Sequence, residues 1–213
     1  MSLHMLTITG YEHHLTGAGV QANQIDIYDI AWALSQINRF VGHARRPYSV
    51  AEHSLLVADL AKIDGKSPAV QLACLLHDAH EAYTGDVGSP HKNAIGLAWG
   101  TFETLQADRV RRALNVAEIF AKHSGLINHF DLVALATERL QLTKHNPDHH
   151  SHWPVLDTIG AQIKPSSWAN LMNGPARARR WNEWRDLFLE RYFDLTRAVA
   201  ASGDLPQLQG AGA

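Results

Sequence analysis

Apolar residues along this chain recur mostly at spacings of three and four, the period of a helix with one buried face. In residues 26–38, DIYDIAWALSQIN, the positions Ile27, Ile30, Ala31, Leu34 and Ile37 share such a face, and Asp26 stands where an N-cap accepts a free amide hydrogen. A second helix is predicted over 50–63, VAEHSLLVADLAKI, with Ser49 and Glu52 in the S-x-x-E spacing of a capping box. A third is predicted over 68–83, entered through Ser67 and Pro68 and broken by Gly85. Longer helices follow over 97–114 and 127–144, with a short one near 116–123. Residues 146–175 are rich in Pro, Gly and polar side chains and read as loop with a short helical turn. A final amphipathic helix over 177–200 carries Trp181, Trp184, Leu187, Phe188, Tyr192 and Leu195 as its stripe. Extended chain is hinted at only in the first ten or so residues. There is no strand–helix–strand alternation and no internal repeat. The expectation is one all-α domain over 1–201, with 202–213 as a disordered tail.

Composition narrows the function classes. Of 213 residues, 46% are hydrophobic, enough for an ordinary globular core, and the net charge is −2. That balance offers no broad basic surface to a nucleic-acid polymer or an anionic membrane. The one cysteine, Cys74, lies in an apolar run, which excludes a disulfide within the chain and suits the cytoplasm. No apolar stretch approaches the roughly 20 residues that cross a bilayer. The N-terminus, MSLHMLTITG, lacks the basic-then-apolar order of a signal peptide.

Histidine is the outlier, at 14 residues. Several stand beside carboxylates in helical segments: His53 in AEHS, His77 and Asp78 in LLHD, and Asp131 in HFDLVAL. A lone histidine on a helix is most often a satisfied core or surface residue. An adjacent His-Asp closing an apolar helix is different, because burying both without a partner costs several kcal/mol, roughly. A divalent cation offsets that cost by taking neutral imidazole and carboxylate together. Two His and two Asp suit Mn²⁺, Fe²⁺, Co²⁺ or Zn²⁺ better than Ca²⁺, and leave positions open for water and substrate.

The order H…HD…D on helices resembles the HD-domain metal-dependent phosphohydrolases. The likeness extends beyond those positions. SVAEHS (49–54) resembles the first-histidine motif of the 5′-deoxynucleotidase branch, and INRF (37–40) its Asn-Arg-aromatic motif. LLHDAHEAYTGDVGSPHK (75–92) is similar to its LLHD-x-x-E-x-x-x-G-D-x-x-(S/T)-P-x-K block, and DLVALATERLQL to the helix of its last ligand. The likeness spans about residues 24–145.

The resemblance implies an all-α HD helical bundle around a divalent metal, with His53, His77, Asp78 and Asp131 as ligands. The metal would be Mn, Co, Fe or Zn, or else Mg. It further implies that Glu81 positions the attacking water or moves its proton. Asp86 would face the sugar or leaving group, where in that branch an acid favours deoxyribose over ribose. Arg39 and Lys92 would hold phosphate, the former through two guanidinium contacts. Phe40 stands where the deoxynucleotidases carry Trp, so its contact to sugar or base differs. His80 and His91 are additional to the pattern. The implied partners are a small-molecule nucleotide and a second copy in a homodimer.

The leading expectation is therefore release of phosphate from deoxynucleoside 5′-monophosphates. Its rivals are a dNTP triphosphohydrolase, a hydrolase of (p)ppGpp or cyclic nucleotides, and an inactive HD module that senses nucleotide. The stringent-response hydrolases show HD-x-x-E-D, whereas Ala82 follows Glu81 here. Arg45 and Arg46 are taken as solvated loop charges, though they are also where a longer phosphate chain would be held. The loop HNPDHHSHW (145–153) is read as polar surface rather than a metal tract. Arg177, Arg179 and Arg180, at a helix start, need acids elsewhere. Trp181, Trp184 and Phe188 are assigned to core or a dimer contact, and Cys74, Ser54 and Thr84 to structure.

Overall fold

The structure is a computed structural model, and it describes residues 3–202; the tail expected from 202 on otherwise lies outside the described residues. The first described elements are short strands, β1 (His4–Leu6) and β2 (Glu12–His14), paired antiparallel with His4 opposite His14. Helices follow: α1 (Ile27–Leu34), α2 (Val50–Ile63), α3 (Pro68–Leu75), α4 (Glu81–Thr84), α5 (Ser89–Ile95) and α6 (Leu97–Ala113). The chain continues through α7 (Ala117–Leu142), α8 (Pro154–Asp157), α9 (Gly174–Ala178) and α10 (Trp181–Ser202).

Helix α3 is at the centre, packed on α2, α7 and α10. Its sequence explains its place. Ala69, Val70, Leu72, Ala73, Cys74 and Leu75 are all buried, so it has no polar face to turn to water. Helix α2 is nearly as enclosed, whereas α10 buries a narrow stripe of Phe188, Leu195 and Val199. Trp184 is half-buried beside that stripe, and Trp181 is exposed, edge-on to Trp32.

The caps expected at Asp26, Ser49 and Ser67 are in place, each accepting an amide hydrogen at the helix start. The capping box is only half formed, because the Glu52 carboxylate pairs with Arg46 instead of turning back to its own helix start. Other boundaries differ from the periodicity. Helix α1 ends at Leu34, and a tight turn over Arg39–Gly42 follows. The segments 116–123 and 127–144 form one helix bent at His123, and α5 has no counterpart in the sequence pattern.

The helix predicted over 68–83 stops at Leu75. Residues 76–80 follow as tight turns, with Ala79 N–H bonded to Leu76 and Glu81 N–H to Asp78. The Cys74 carbonyl at this break accepts from the His77 ring, 2.8 Å away. A side chain thus takes over a main-chain partner at the end of α3, and the His-Asp pair sits in the break between α3 and α4.

Two devices hold the surroundings of that break. The His13 ring of β2 stacks on Tyr83 of α4, centroids 3.9 Å apart, and its Nε2 lies 3.2 Å from Gln106 of α6. A bridge between Asn38 and Ser49 closes the loop before α2 and brings Arg39 beside it. Within that loop Phe40 and Val41 both have positive φ, at 57° and 53°. Two successive side-chain-bearing residues in this region cost about 1–3 kcal/mol each, so the surrounding bonds must over-determine the turn.

Candidate metal centre

His53 projects from the first turns of α2, His77 and Asp78 from the break after α3, and Asp131 from the middle of α7. The packing of α3 on α2 and α7 brings them together. His53 Nε2 lies 3.1 Å from His77 Nε2, 3.2 Å from Asp131 Oδ1 and 3.5 Å from Asp78 Oδ2. His77 Nε2 lies 3.1 Å from Asp78 Oδ2 and 3.6 Å from Asp131 Oδ1. A cation about 2.1 Å from each donor requires donor–donor edges of about 3.0 Å at right angles and about 3.4 Å for a tetrahedron. These five separations, 3.1–3.6 Å, lie within that range or just above it, and His53, His77 and Asp131 form a group in which all three donor atoms lie within 4.8 Å of one another.

Tautomers make the argument sharper. His77 Nδ1 donates to the Cys74 carbonyl, which leaves the Nε2 lone pair facing inward. His53 Nδ1 is 2.5 Å from Glu138 Oε1, both groups being fully buried, so its Nε2 also presents a lone pair. Two imidazole lone pairs and two carboxylates therefore converge, and such a set calls for a cation or a shared proton. Burial opposes a charged His77, yet Asp78 and Asp131 outweigh it and hold the ring well above its ordinary value. Burial likewise opposes ionised Asp131, but the two histidines hold it well below the carboxylate range. The donor set fits a divalent metal.

Glu138 orients the first histidine, and sequence reasoning missed it. It accepts from Tyr48 Oη at 3.0 Å and from Arg39 Nε at 3.2 Å. It follows Asp131 by seven residues, two turns on the same face of α7, and that spacing was the available signal. Metal-bound histidines usually donate their other nitrogen to such a carboxylate or a carbonyl.

The remaining expected residues lie around this centre. Arg39 is mostly buried, links Glu138 to Asp78 (Nη1 to Oδ2, 3.5 Å), and stands 5.8 Å from the Phe40 ring centroid. Glu81 begins α4 rather than following His77 in one continuous helix. It is buried, its Oε2 has no partner, and burial, then Asp78 and Asp86, push its carboxyl well above the usual range. Asp86 is half-buried past Gly85 and is raised by burial against the pull of Arg39. Lys92 belongs to α5, and its Nζ is 2.5 Å from Glu103 Oε1 on α6. His80 Nε2 is 3.6 Å from the same oxygen. Glu103 had no signal in the sequence.

One expectation needs correction, and further residues can be placed beside it. Arg46 is not a solvated charge: it donates to both Glu52 oxygens and to the Leu171 carbonyl. Arg45 is exposed and donates to the Thr143 carbonyl. Arg179 lies over the Trp184 ring, and its charge also acts on the Glu52 carboxylate. Cys74 is buried, with its thiol pushed up to about 12 by burial and by Asp131. Among the described residues, close groups of three potential ligands occur at His53, His77 and Asp131 and at His80, Glu81 and Glu103, and not in the loop 145–152.

The HD domain pattern matches residues 50–163, more than half of the chain. This chain belongs to the HD-domain family. It is 35% identical to the uncharacterized protein YfdR of Escherichia coli over 142 residues, 67% of this chain and 73% of that one. It is 47% identical to an uncharacterized protein of Rhodobacter capsulatus over 79 residues, 35% of this chain and 40% of that one. HD-domain proteins are metal-dependent hydrolases, and the fold here is the all-α HD bundle. Among the described residues, no helix is long and apolar enough to cross a membrane.

Proposed function

We propose that this HD-domain protein hydrolyses phosphomonoesters of nucleotides, releasing phosphate from deoxynucleoside 5′-monophosphates. The observation that carries the reading is that the inward nitrogens of His53 and His77 lie 3.1 Å apart and each stands 3.1–3.6 Å from an oxygen of Asp78 and of Asp131, beside a buried, partnerless carboxylate oxygen on Glu81. His53, His77, Asp78 and Asp131 would hold the divalent ion. When bound, such an ion lowers the pKa of water and polarises a phosphoryl oxygen.

The protein's own groups supply the rest. Glu81 accepts the proton of the attacking water, a role suited to a carboxylate whose pKa burial and like charges have raised. The water oxygen forms the new bond to phosphorus as the ester bond breaks, and the leaving sugar oxygen takes a proton. Arg39 steadies charge on the phosphoryl group from its fixed place between Glu138 and Asp78. Lys92 adds a second positive charge. Asp86 and Phe40 face the sugar side, which the motif resemblance supports. The reading as a dNTP triphosphohydrolase loses one of its two supporting arginines, since Arg46 is committed to Glu52 and Leu171.

The test is product analysis. Metal-stripped protein, with Mn²⁺, Co²⁺ or Mg²⁺ restored, is incubated with dNMPs, NMPs, dNTPs and ppGpp, and the products are resolved by chromatography. Nucleoside and phosphate from dNMPs alone are expected. Tripolyphosphate from dNTPs, or silence with metal demonstrably bound, overturns the reading.

A further inference from the structure

Glu103 is charged, stands beside the site and has no part in the chemistry above. Its Oε1 is 2.5 Å from Lys92 Nζ and 3.6 Å from the buried His80 ring, and its carboxylate lies within 4.8 Å of the donor atoms of both His80 and Glu81. A carboxylate so close to Glu81 would be repelled unless a nearby cation that both acids feel mattered more. Lys92 is that cation, and its ammonium also feels Glu81 and Asp78. Arg39 meanwhile has its guanidinium spread over Glu138 and Asp78. Lys92 is therefore a cation beside the site that can change partner, and Glu103 holds it. Helix α5, which carries Lys92, buries none of its residues and is bounded by Gly88 and Gly96.

We propose that Glu103 is a specificity-determining residue that occupies the phosphate subsite of Lys92 until a doubly charged phosphoryl group displaces it. The inference rests on the reading that this site takes phosphomonoesters. A lysine on its flexible stem can turn from one anion to another, while Glu103 keeps His80. A terminal phosphate carries a charge near −2 above its second pKa of about 6, so its attraction to the ammonium is roughly twice that of a carboxylate at equal distance. A phosphodiester carries one charge, the same as Glu103. It gains nothing in the exchange and faces a competitor tethered at high effective concentration. The Glu103–Lys92 pair thus passes monoester dianions and turns diesters away.

The experiment is calorimetric titration of inorganic phosphate, and separately of bis(4-nitrophenyl) phosphate, into Mn²⁺-loaded protein at pH 8. The proteins are the wild type, Glu103→Gln, Lys92→Met and the double variant. Glu103→Gln is expected to tighten phosphate by about 3–10-fold, the range of a single charge-assisted contact in partial solvent. It should tighten the diester more, narrowing the preference, and in turnover the change should fall on KM more than on kcat. In the Lys92→Met background the same substitution should add nothing. Unchanged or weaker phosphate binding in Glu103→Gln overturns the proposal. Equal tightening with Lys92 absent also overturns it, because the effect would then be general charge. If Glu103→Gln does not fold, Glu103→Asp, with its shorter reach, should loosen Lys92 in the same direction. Phosphate binding is read without turnover, so failure to hydrolyse dNMPs would sink the proposed function and leave this result standing.

Discussion

His53 and His77 meet at 3.1 Å with their outer nitrogens committed to Glu138 and to the Cys74 carbonyl, whereas His149, His150 and His152 stand exposed on a loop after α7. In that loop His150 Nδ1 is spent on the Asn146 main chain, and the His145 and His150 rings are 5.7 Å apart between centroids. The loop packs four histidines into eight residues, yet the buried pair separated by 24 residues makes the site. Local density counts for little. What counts is a second partner that fixes each tautomer, and burial that makes an unmatched lone pair costly.

The comparison breaks most visibly at the ligands. Asp78→Ala is expected to abolish Mn²⁺ binding and turnover while far-UV circular dichroism keeps its helical signal. It should also remove the rise in Tm that native-state metal binding gives the wild type. Full metal affinity in that variant would disprove the ligand assignment.

Glu81→Ala should keep the metal by calorimetry yet lower kcat by about 10²–10⁴, the usual contribution of a positioned proton acceptor. Normal turnover would remove Glu81 from the chemistry. Glu138→Gln tests the tautomer argument directly. It leaves every ligand in place, and metal affinity should fall by about 10–100-fold.

A smaller effect is expected at acid pH. The His80 ring 3.6 Å away, and then Lys92, hold Glu103 at about 2 against an ordinary 4.5. A depressed folded-state value stabilises the fold above the unfolded pKa and is lost as pH falls. The Glu103 contribution should be whole above about pH 4.5 and fade towards pH 2. Glu103→Gln should flatten that limb of a Tm-against-pH curve. Smallest of all, replacing His149, His150 and His152 together by Ala should change neither metal stoichiometry nor the Tm rise with Mn²⁺.

Most of the helices were legible because their signals are local. Apolar spacing, Asp26, Ser49 and Ser67 as caps, and Gly85 as a breaker act within one or two turns. The break at Leu75 was not legible: LLHDAHEAY keeps helical periodicity, and the His77 ring bonding Cys74 competes with it only in three dimensions. The same holds for charge. Arg46 looks like a solvent-facing charge in sequence, Lys92 like a phosphate ligand, and Glu103 gives no signal, yet each is claimed by a group on another element.

By itself, then, the sequence determined most of the helices, the chemical identity of the donors and the order H…HD…D. All of these are written in residue type and short spacing. Only the tertiary structure decided which nitrogen of each histidine faces inward, that Glu138 stands behind His53 across 85 positions, and that Lys92 is held by Glu103. Those facts depend on side chains brought together by the packing of α2, α3 and α7 and of α5 on α6, and on the short reach of a hydrogen bond. A linear pattern carries no measure of that distance.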